Sequence, residues 1–393
     1  MTEGARAARY YVLYVLTLEK YMSADNRELL TTALYDLHKE LNGKMVAFAG
    51  YAMPVHYPLG VMGEHNHTRS HAGLFDVSHM GQVVITGPDA DSWLETLLPG
   101  DIKDLGQHHI RYSMFTNEQG GIMDDLMITK RENDLFLVVN AACKAQDIAH
   151  MRAHLPGGFT LTELTDRALI ALQGPKAAEV LSRFASGADQ MDFMTYAEVT
   201  ICGAECYISR SGYTGEDGYE ISIPANKAEE VCRALLAEDE VKAIGLGARD
   251  SLRLEAGLCL YGHDLTPETT PVEAALLWAI SKRRRAEGGF PGDKIILEQI
   301  ATKKYARKRV GILPTGRAPA REGTIILDGE GNEIGTVTSG GFGPTFGGPV
   351  AMGYIAQEFS AINTEIFLSV RGKKLPARVA KTPFVPQRYY RKT

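Results

Sequence analysis

Two glycines run directly into two adjacent aspartates in residues 117–126, Asn-Glu-Gln-Gly-Gly-Ile-Met-Asp-Asp-Leu. Asn and Gly tolerate the positive φ of tight turns, so this segment predicts a hairpin whose second strand begins at Ile122. Successive side chains on a strand point to opposite faces, and Asp disfavours strands. Asp124 and Asp125 are therefore expected on opposite faces, where a helix end, an ion pair or a substrate compensates for the charge.

The composition is that of an ordinary globular protein. The 393 residues are 45% hydrophobic and 23% charged, which is enough chain for two or three domains. The net charge of −6 gives no general attraction to nucleic acid or to an anionic membrane. The five cysteines form no CxxC pair, which argues for reduced thiols and against a disulfide framework or a zinc site.

The N-terminal 25 residues read as an extension. Residues 10–16, Tyr-Tyr-Val-Leu-Tyr-Val-Leu, are apolar but too few to span a bilayer. Two arginines precede this run, as in a secretory or organellar presequence, yet Glu19 and Lys20 follow where small residues would precede cleavage. Met22 is an alternative start. Both interpretations stay open.

The central part of the chain mixes short helices with strands joined by hairpins. This pattern predicts an α+β architecture with antiparallel sheets. Strands are predicted at 82–85, 112–115, 206–210 and 219–223, and helices at 26–41, 89–98 and 227–236.

The last part of the chain has a different pattern. From Arg309 onward, short β-like segments are punctuated by Gly and Pro, as in a small all-β barrel or sandwich. The basic run 282–285, Lys-Arg-Arg-Arg, is followed by two glycines and predicts a linker between the two parts. We therefore divide the chain into 1–25, 26–285 and 286–393.

Two further charged residues need an explanation. Glu220 lies inside a predicted strand, on the face opposite Tyr219, where its carboxylate can accept paired donors from a planar heterocycle or can simply be solvated. Arg249 lies in the first turn of a helix predicted near residues 248–257, where a cation opposes the helix dipole. Its guanidinium is therefore available to a carboxylate in the protein or on a ligand.

Metal and nucleotide sites are not favoured. His67 and His71 have the four-residue spacing of helical zinc ligands, but no HExxH motif or cysteine partner accompanies them. The chain has no Walker motif, no Rossmann fingerprint and no GxSxG, which removes the commonest nucleotide, flavin and hydrolase interpretations.

From about residue 30 to residue 390 the chain resembles the T-protein family, the aminomethyltransferases of the glycine cleavage system. The similarity is specific because many motifs occur in order over nearly the whole chain. The matching segments are 75–80 (Phe-Asp-Val-Ser-His-Met), 120–126, 172–175 (Leu-Gln-Gly-Pro), 212–220, 245–261, 338–340 (Thr-Ser-Gly) and 383–386 (Pro-Phe-Val-Pro).

The resemblance implies a fold and a reaction. The fold is a three-domain, cloverleaf-like α+β arrangement, with two interleaved folate-binding domains in 26–285 and a C-terminal all-β domain, barrel or jelly-roll-like, in 286–393. Tetrahydrofolate occupies a central cavity, and neither metal nor flavin is required. The reaction takes the aminomethyl group from the lipoyl arm of H-protein, releases ammonia and forms methylenetetrahydrofolate.

The resemblance also assigns roles to residues. Asp124 matches the catalytic aspartate, expected to face the folate cavity and to stabilise positive charge on the aminomethyl carbon, while Asp125 is left with a structural role. The remaining matches are the pterin-binding acid Glu220, the ligand-binding arginine Arg249, the C-terminal tyrosine Tyr389 and the pocket residue Tyr112.

The expected partner is a lipoylated H-protein, without nucleic acid or membrane, in a bacterial cytoplasm or in the mitochondrial matrix. The alternative is a folate-binding protein of the kind that supports iron–sulfur assembly and tRNA modification. Such proteins carry a Lys-Gly-Cys-Tyr-x-Gly-Gln motif, which this chain lacks. The folate domain of a flavin-dependent demethylase is a third possibility, disfavoured by the missing dinucleotide fingerprint.

Overall fold

The computed structural model describes residues 29–392, and none of the helices in this part is long and apolar enough to cross a membrane. The helices are α1 Tyr35–Glu40, α2 Gly60–Ser70, α3 Ala90–Leu94, α4 Lys144–Ala153, α5 Ala177–Ser182, α6 Ala228–Leu236, α7 Leu246–Glu255, α8 Lys282–Glu287 and α9 Asp293–Thr302. The strands are β1 Lys44–Phe48, β2 Tyr51–His56, β3 Ala72–Asp76, β4 Gly81–Thr86, β5 Ile110–Thr116, β6 Ile122–Lys130, β7 Leu135–Val139, β8 Thr160–Glu163, β9 Arg167–Gln173, β10 Tyr196–Ile201, β11 Ala204–Ser209, β12 Gly218–Pro224, β13 Val241–Ala243, β14 Arg307–Pro314, β15 Ile325–Leu327, β16 Glu333–Gly343, β17 Gly348–Ala356, β18 Glu365–Val370 and β19 Lys373–Ala380.

The largest sheet has six strands in the order β10-β11-β12-β9-β3-β13. Its neighbours are antiparallel except β3 and β13, which are parallel. β9 lies inside this sheet, and its Ala-Leu-Ile-Ala-Leu run is buried throughout, because helices cover both faces. Apolar residues of α5 and α6 pack on one face, and Val61 of α2 and Leu252 of α7 pack on the other.

A second sheet has five strands in the order β5-β6-β7-β4-β8, all antiparallel. One face packs against α3 and α4, where Leu94, Ile148 and Met151 are buried with Phe115 of β5. The strand that carries the two aspartates, β6, lies between β5 and β7. Its burial alternates from residue to residue up to Ile128, as expected for a strand with one fully packed face.

The C-terminal strands close into a six-stranded barrel in the order β14-β17-β16-β15-β18-β19. Apolar side chains such as Ile312, Val337 and Ile366 fill its interior. The barrel prediction is confirmed, and so is the α+β class with antiparallel sheets. The hairpin strand beginning at Ile122 is also confirmed.

Two predicted helices are shorter than expected. The leucine pattern of 26–41 gives only α1, because Leu30 is extended and forms a β-bridge with Tyr51; residues 26–28 lie outside the described residues. The helix predicted at 89–98 ends as α-helix at Leu94. At Leu30, whose side chain is 58% exposed, backbone pairing with Tyr51 outweighs the local helical periodicity.

The prediction that the basic run 282–285 is a linker is wrong. These residues form α8, and Arg283 contacts both Glu95 and Asp101 at 2.5 Å through Nη2. The buried Arg284 donates from Nη2 to the carbonyl oxygens of Glu95 at 2.6 Å and Leu98 at 3.2 Å. The basic run therefore anchors α8 to residues 95–101, which follow α3.

Replacing Arg284 with alanine should lower the free energy of unfolding by about 3 kcal/mol, because Glu95 and two carbonyl oxygens lose a buried cation. Lys282→Ala, at an exposed neighbouring position, is the control and should cost less than about 0.5 kcal/mol. The midpoint of urea denaturation measures both. Equal midpoints for the two variants would contradict the anchoring role.

Candidate active site

The two glycines before the aspartates serve different purposes. Gly120 has a φ of 77°, the left-handed conformation that closes the turn. A Cβ at Gly121 would lie only 1.7 Å from the carbonyl oxygen of Pro267, so no larger residue fits there. The backbone N–H of Ile122 donates to the carbonyl of Thr269 at 3.0 Å, and this bond fixes the start of β6 against the 266–270 loop.

The register of β5 against β6 places the two aspartates on opposite faces. Asp125 pairs with Met114 and Asp124 with Phe115, and paired residues of antiparallel strands share a face. Phe115 belongs to the core under α3 and α4. The prediction of opposite faces is confirmed.

Asp125 lies on the face that carries the predicted pocket residue Tyr112. The hydroxyl of Tyr112 donates to Oδ2 of Asp125 at 2.9 Å, and Nδ2 of Asn140 donates to Oδ1 at 2.8 Å. Burial raises the pKa of Asp125 to about 7, and the charge of Asp124 contributes to that rise. The ring of Trp278, which is 66% exposed, stacks on Tyr112 at 5.3 Å, so this face reaches the solvent.

Asp124 lies on the packed face and is 0% exposed. Asn140 donates to it twice, from its backbone N–H to Oδ2 at 3.1 Å and from Nδ2 to Oδ1 at 2.9 Å. Burial raises the pKa of Asp124, and the neighbouring Asp147 of α4 and Asn140 act against that rise. Asp124 therefore lies on the side of β6 that α4 covers, and Asp125 lies on the Tyr112 side. Which of the two carboxylates serves the reaction stays a prediction.

Glu220 lies on β12 as the alternation predicts. Tyr219 and Ile221 are buried in the core on one face, and Glu220 is half-buried on the other. The hydroxyl of Ser211 donates to Oε2 of Glu220 at 3.1 Å. One carboxylate oxygen thus has a protein donor, and Oε1 has capacity to accept from a ligand.

Arg249 lies on α7 with its guanidinium over the ring of Tyr213 at 4.9 Å. Its Nη1 is buried and has no hydrogen-bond partner within residues 29–392. Burial lowers the pKa of Arg249, while the nearby negative charge of Glu220 acts in the opposite direction. The internal salt bridge that was the alternative for Arg249 is not formed with any described carboxylate, and a buried donor without a partner is costly unless a ligand satisfies it.

Tyr213 is the residue that sequence reasoning missed. Its ring supports Arg249, its hydroxyl donates to the carbonyl of Cys259, and the charge of Asp125 contributes to raising its pKa. It therefore links Arg249 of α7 to Cys259 in the segment that follows that helix. The sequence signal that could have indicated a role for Tyr213 is its aromatic ring between the turn glycines Gly212 and Gly215.

Tyr389 lies apart from these groups. Its ring stacks on Phe193 at 4.2 Å, and burial raises its pKa to about 12. The neighbouring Arg388 holds the C-terminal segment on the 212–218 loop, with Nη2 donating to Glu216 at 2.6 Å and the backbone N–H donating to Gly215 at 2.8 Å. Within the described chain, no hydrogen bond or ring contact joins Tyr389 to Tyr112, Glu220 or Arg249.

The histidines considered as metal ligands are used otherwise. The rings of His67 and His71 stack at 4.9 Å, and Nε2 of His67 lies 2.9 Å from the carbonyl oxygen of Glu240. From residue 29 to residue 392, no three His, Cys, Asp or Glu side chains form a group suited to a metal ion.

Comparison with known proteins covers nearly the whole chain. Residues 34–284 match the GCVT N-terminal domain, and residues 307–386 match the glycine cleavage T-protein C-terminal barrel domain. The mitochondrial aminomethyltransferase of Dictyostelium discoideum is 48% identical over 388 residues, covering 94% of this chain and 96% of that protein. The human mitochondrial aminomethyltransferase is 47% identical over 377 residues, covering 94% and 93%.

A solved structure agrees with these relatives. The glycine cleavage system aminomethyltransferase T from Bartonella henselae superimposes with a TM-score of 0.88 at 47% identity, covering 93% of this chain and 100% of that one. Sequence families, curated relatives and fold all indicate the same group. The chain therefore belongs to the glycine cleavage T-protein family of aminomethyltransferases.

Proposed function

We propose that this aminomethyltransferase takes its substrate from the lipoyl arm of an H-protein and passes the one-carbon unit to tetrahydrofolate, releasing ammonia. Its membership of an aminomethyltransferase family rests on curated relatives at 47–48% identity. The observation that carries the proposal for the acceptor is the buried, unpartnered Nη1 of Arg249 beside Glu220.

Glu220 and Arg249 have the chemistry that a reduced pterin needs. The pterin offers neighbouring N–H donors on one edge and a carbonyl acceptor on the same ring. A carboxylate accepts such paired donors, and a guanidinium donates to an oxygen. The rings of Tyr112 and Tyr213 supply apolar surface between these groups and Asp125.

Asp125 is the carboxylate that we propose for the chemistry, with Asp124 behind it. The reaction breaks the carbon–sulfur and carbon–nitrogen bonds of the aminomethyl group and forms two carbon–nitrogen bonds to folate. Two protons leave folate nitrogens; one goes to the thiolate and one to the departing ammonia. An ionised Asp125 stabilises positive charge on the carbon, and its pKa of about 7 suits it to carry one of these protons.

The lipoyl arm needs a path from solvent to Asp125. The exposed Trp278 stacked on Tyr112 marks where that path opens, because this face of β6 is not covered by α3 or α4. The H-protein is therefore proposed to approach on the Trp278 side.

The compartment proposed is the mitochondrial matrix. The curated relatives from Dictyostelium discoideum and human are named as mitochondrial, which favours the matrix over the bacterial cytoplasm expected first. A folate-binding role in iron–sulfur assembly, the alternative function, is not favoured, since these relatives are aminomethyltransferases.

The function is tested by mixing the purified protein with aminomethyl-loaded H-protein and tetrahydrofolate. We expect stoichiometric ammonia and methylenetetrahydrofolate. Ammonia release that does not depend on folate, or no release at all, would contradict the proposal.

Asp125→Asn should lower turnover by about 100-fold or more, because the variant loses both the charge and the proton carrier. Asp124→Asn should lower it by about tenfold, acting only through its neighbour. Single-turnover ammonia release compares them. A larger loss for Asp124→Asn would restore the original assignment of the catalytic role to Asp124.

Turnover should depend on pH through Asp125. Because the pKa of Asp125 is raised to about 7, its carboxyl is protonated below about pH 7. The active, ionised form is therefore lost as the pH falls through that value. We expect an acidic limb with a midpoint near 7 in a profile of kcat against pH. Asp125→Asn should remove that limb; an unchanged limb in the variant would assign it to another group.

Arg249→Gln should raise the KM for tetrahydrofolate by about 10- to 100-fold, since a charge-assisted hydrogen bond contributes about 1.5–3 kcal/mol. Arg152→Gln, at an exposed position on α4, is the matched control and should leave KM unchanged. Steady-state kinetics with folate as the varied substrate measure both. Equal KM values for the two variants would contradict the role of Arg249.

A further inference from the structure

Three carboxyl groups meet between β6, β7 and α4. They belong to Asp124, Asp125 and Asp147, and the charges of the first two both contribute to raising the pKa of the third. Neighbouring hydrogen-bond donors reach only Asp124 and Asp125. Asn140 donates to Asp124 and Asp125, and Tyr112 donates to Asp125.

Asp147 receives none of these donors. It is 0% exposed, and neither Oδ1 nor Oδ2 has a donor partner in the described part of the chain. A buried carboxylate without a donor is strongly disfavoured, whereas a neutral acid can donate to an anionic neighbour. Its place in the first turn of α4 favours an anion only weakly compared with the cost of burying a third charge.

We propose that Asp147 is a positioning residue that stays a neutral acid and donates its carboxyl proton in a hydrogen bond to Asp124. This bond keeps the buried negative charge on Asp124. The inference rests on the proposed role of Asp125, because Asp147 acts on the reaction only through Asp124 and then Asp125.

The pKa shifts agree with this distribution of protons. Burial and the neighbouring Asp124 carboxylate raise the pKa of Asp147 to about 10. The other titratable groups facing the cluster stay neutral near pH 7. Burial raises the pKa of Cys143 and that of Tyr261, so both keep their protons. Burial lowers the pKa of His150, one turn along α4, so its ring stays uncharged. Among residues 29–392, Asp124 then carries the buried negative charge beside Asp125, and burial together with this charge raises the pKa of Asp125 to about 7.

Two substitutions separate positioning from packing. Asp147→Asn keeps a donor for Asp124, so the acidic limb of the kcat profile should keep its midpoint near 7. Asp147→Leu removes the donor; Asp124 then takes up a proton itself, Asp125 loses its charged neighbour, and the midpoint should fall by about one pH unit or more. Identical midpoints in the wild type and both variants, or an identical shift in both variants, would overturn the proposal.

An infrared measurement tests the proton directly and needs no activity. A neutral carboxylic acid has a C=O stretching band distinct from the bands of carboxylates. We expect this band in the wild-type protein at pH 8 and its loss in Asp147→Asn, which differs by one amide. A wild-type spectrum without the band, or a band that persists in Asp147→Asn, would overturn the proposal even if Asp147→Leu fails to fold. This readout stands apart from the tetrahydrofolate assay, so the two proposals can fail separately.

Discussion

The pairing of β6 between β5 and β7 is the constraint on which the site depends. Strand alternation sends Asp124 under α4 and Asp125 toward Tyr112, so adjacent residues have unlike surroundings. Asn140, just after β7, donates through one amide to both carboxylates. The buried charge of Asp124 is thereby held next to Asp125, where burial and that charge raise the pKa of Asp125.

Several buried charges of the described chain form an ion-pair network beside the 212–218 loop. Arg69 lies 2.7 Å from Glu216 and 3.0 Å from Glu255, and Arg388 of the C-terminal segment joins the same Glu216 at 2.6 Å. This network holds the 212–218 loop, α7 and the chain end together. Within the described residues Arg249 has no such partner for its buried Nη1, and this supports the proposal that it binds a ligand.

Local patterns predicted the hairpin, the barrel and the opposite faces of the two aspartates, because turn chemistry and alternation are properties of adjacent residues. They did not predict which face α4 covers, and that position is why we propose Asp125, and not Asp124, for the chemistry. The anchoring of Arg283 was also missed, since its partners Glu95 and Asp101 lie 188 and 182 residues away in the chain. Ion pairs at such separations leave no periodic signal in a single sequence.

The most direct measurement is a crystal structure of the protein with tetrahydrofolate bound. We expect the pterin between Glu220 and Arg249, with Nη1 of Arg249 donating to it and the reacting nitrogens next to Asp125 on the Tyr112 face of β6. Folate density that leaves Nη1 without a partner, or that lies on the Asp124 side, would contradict the central claim.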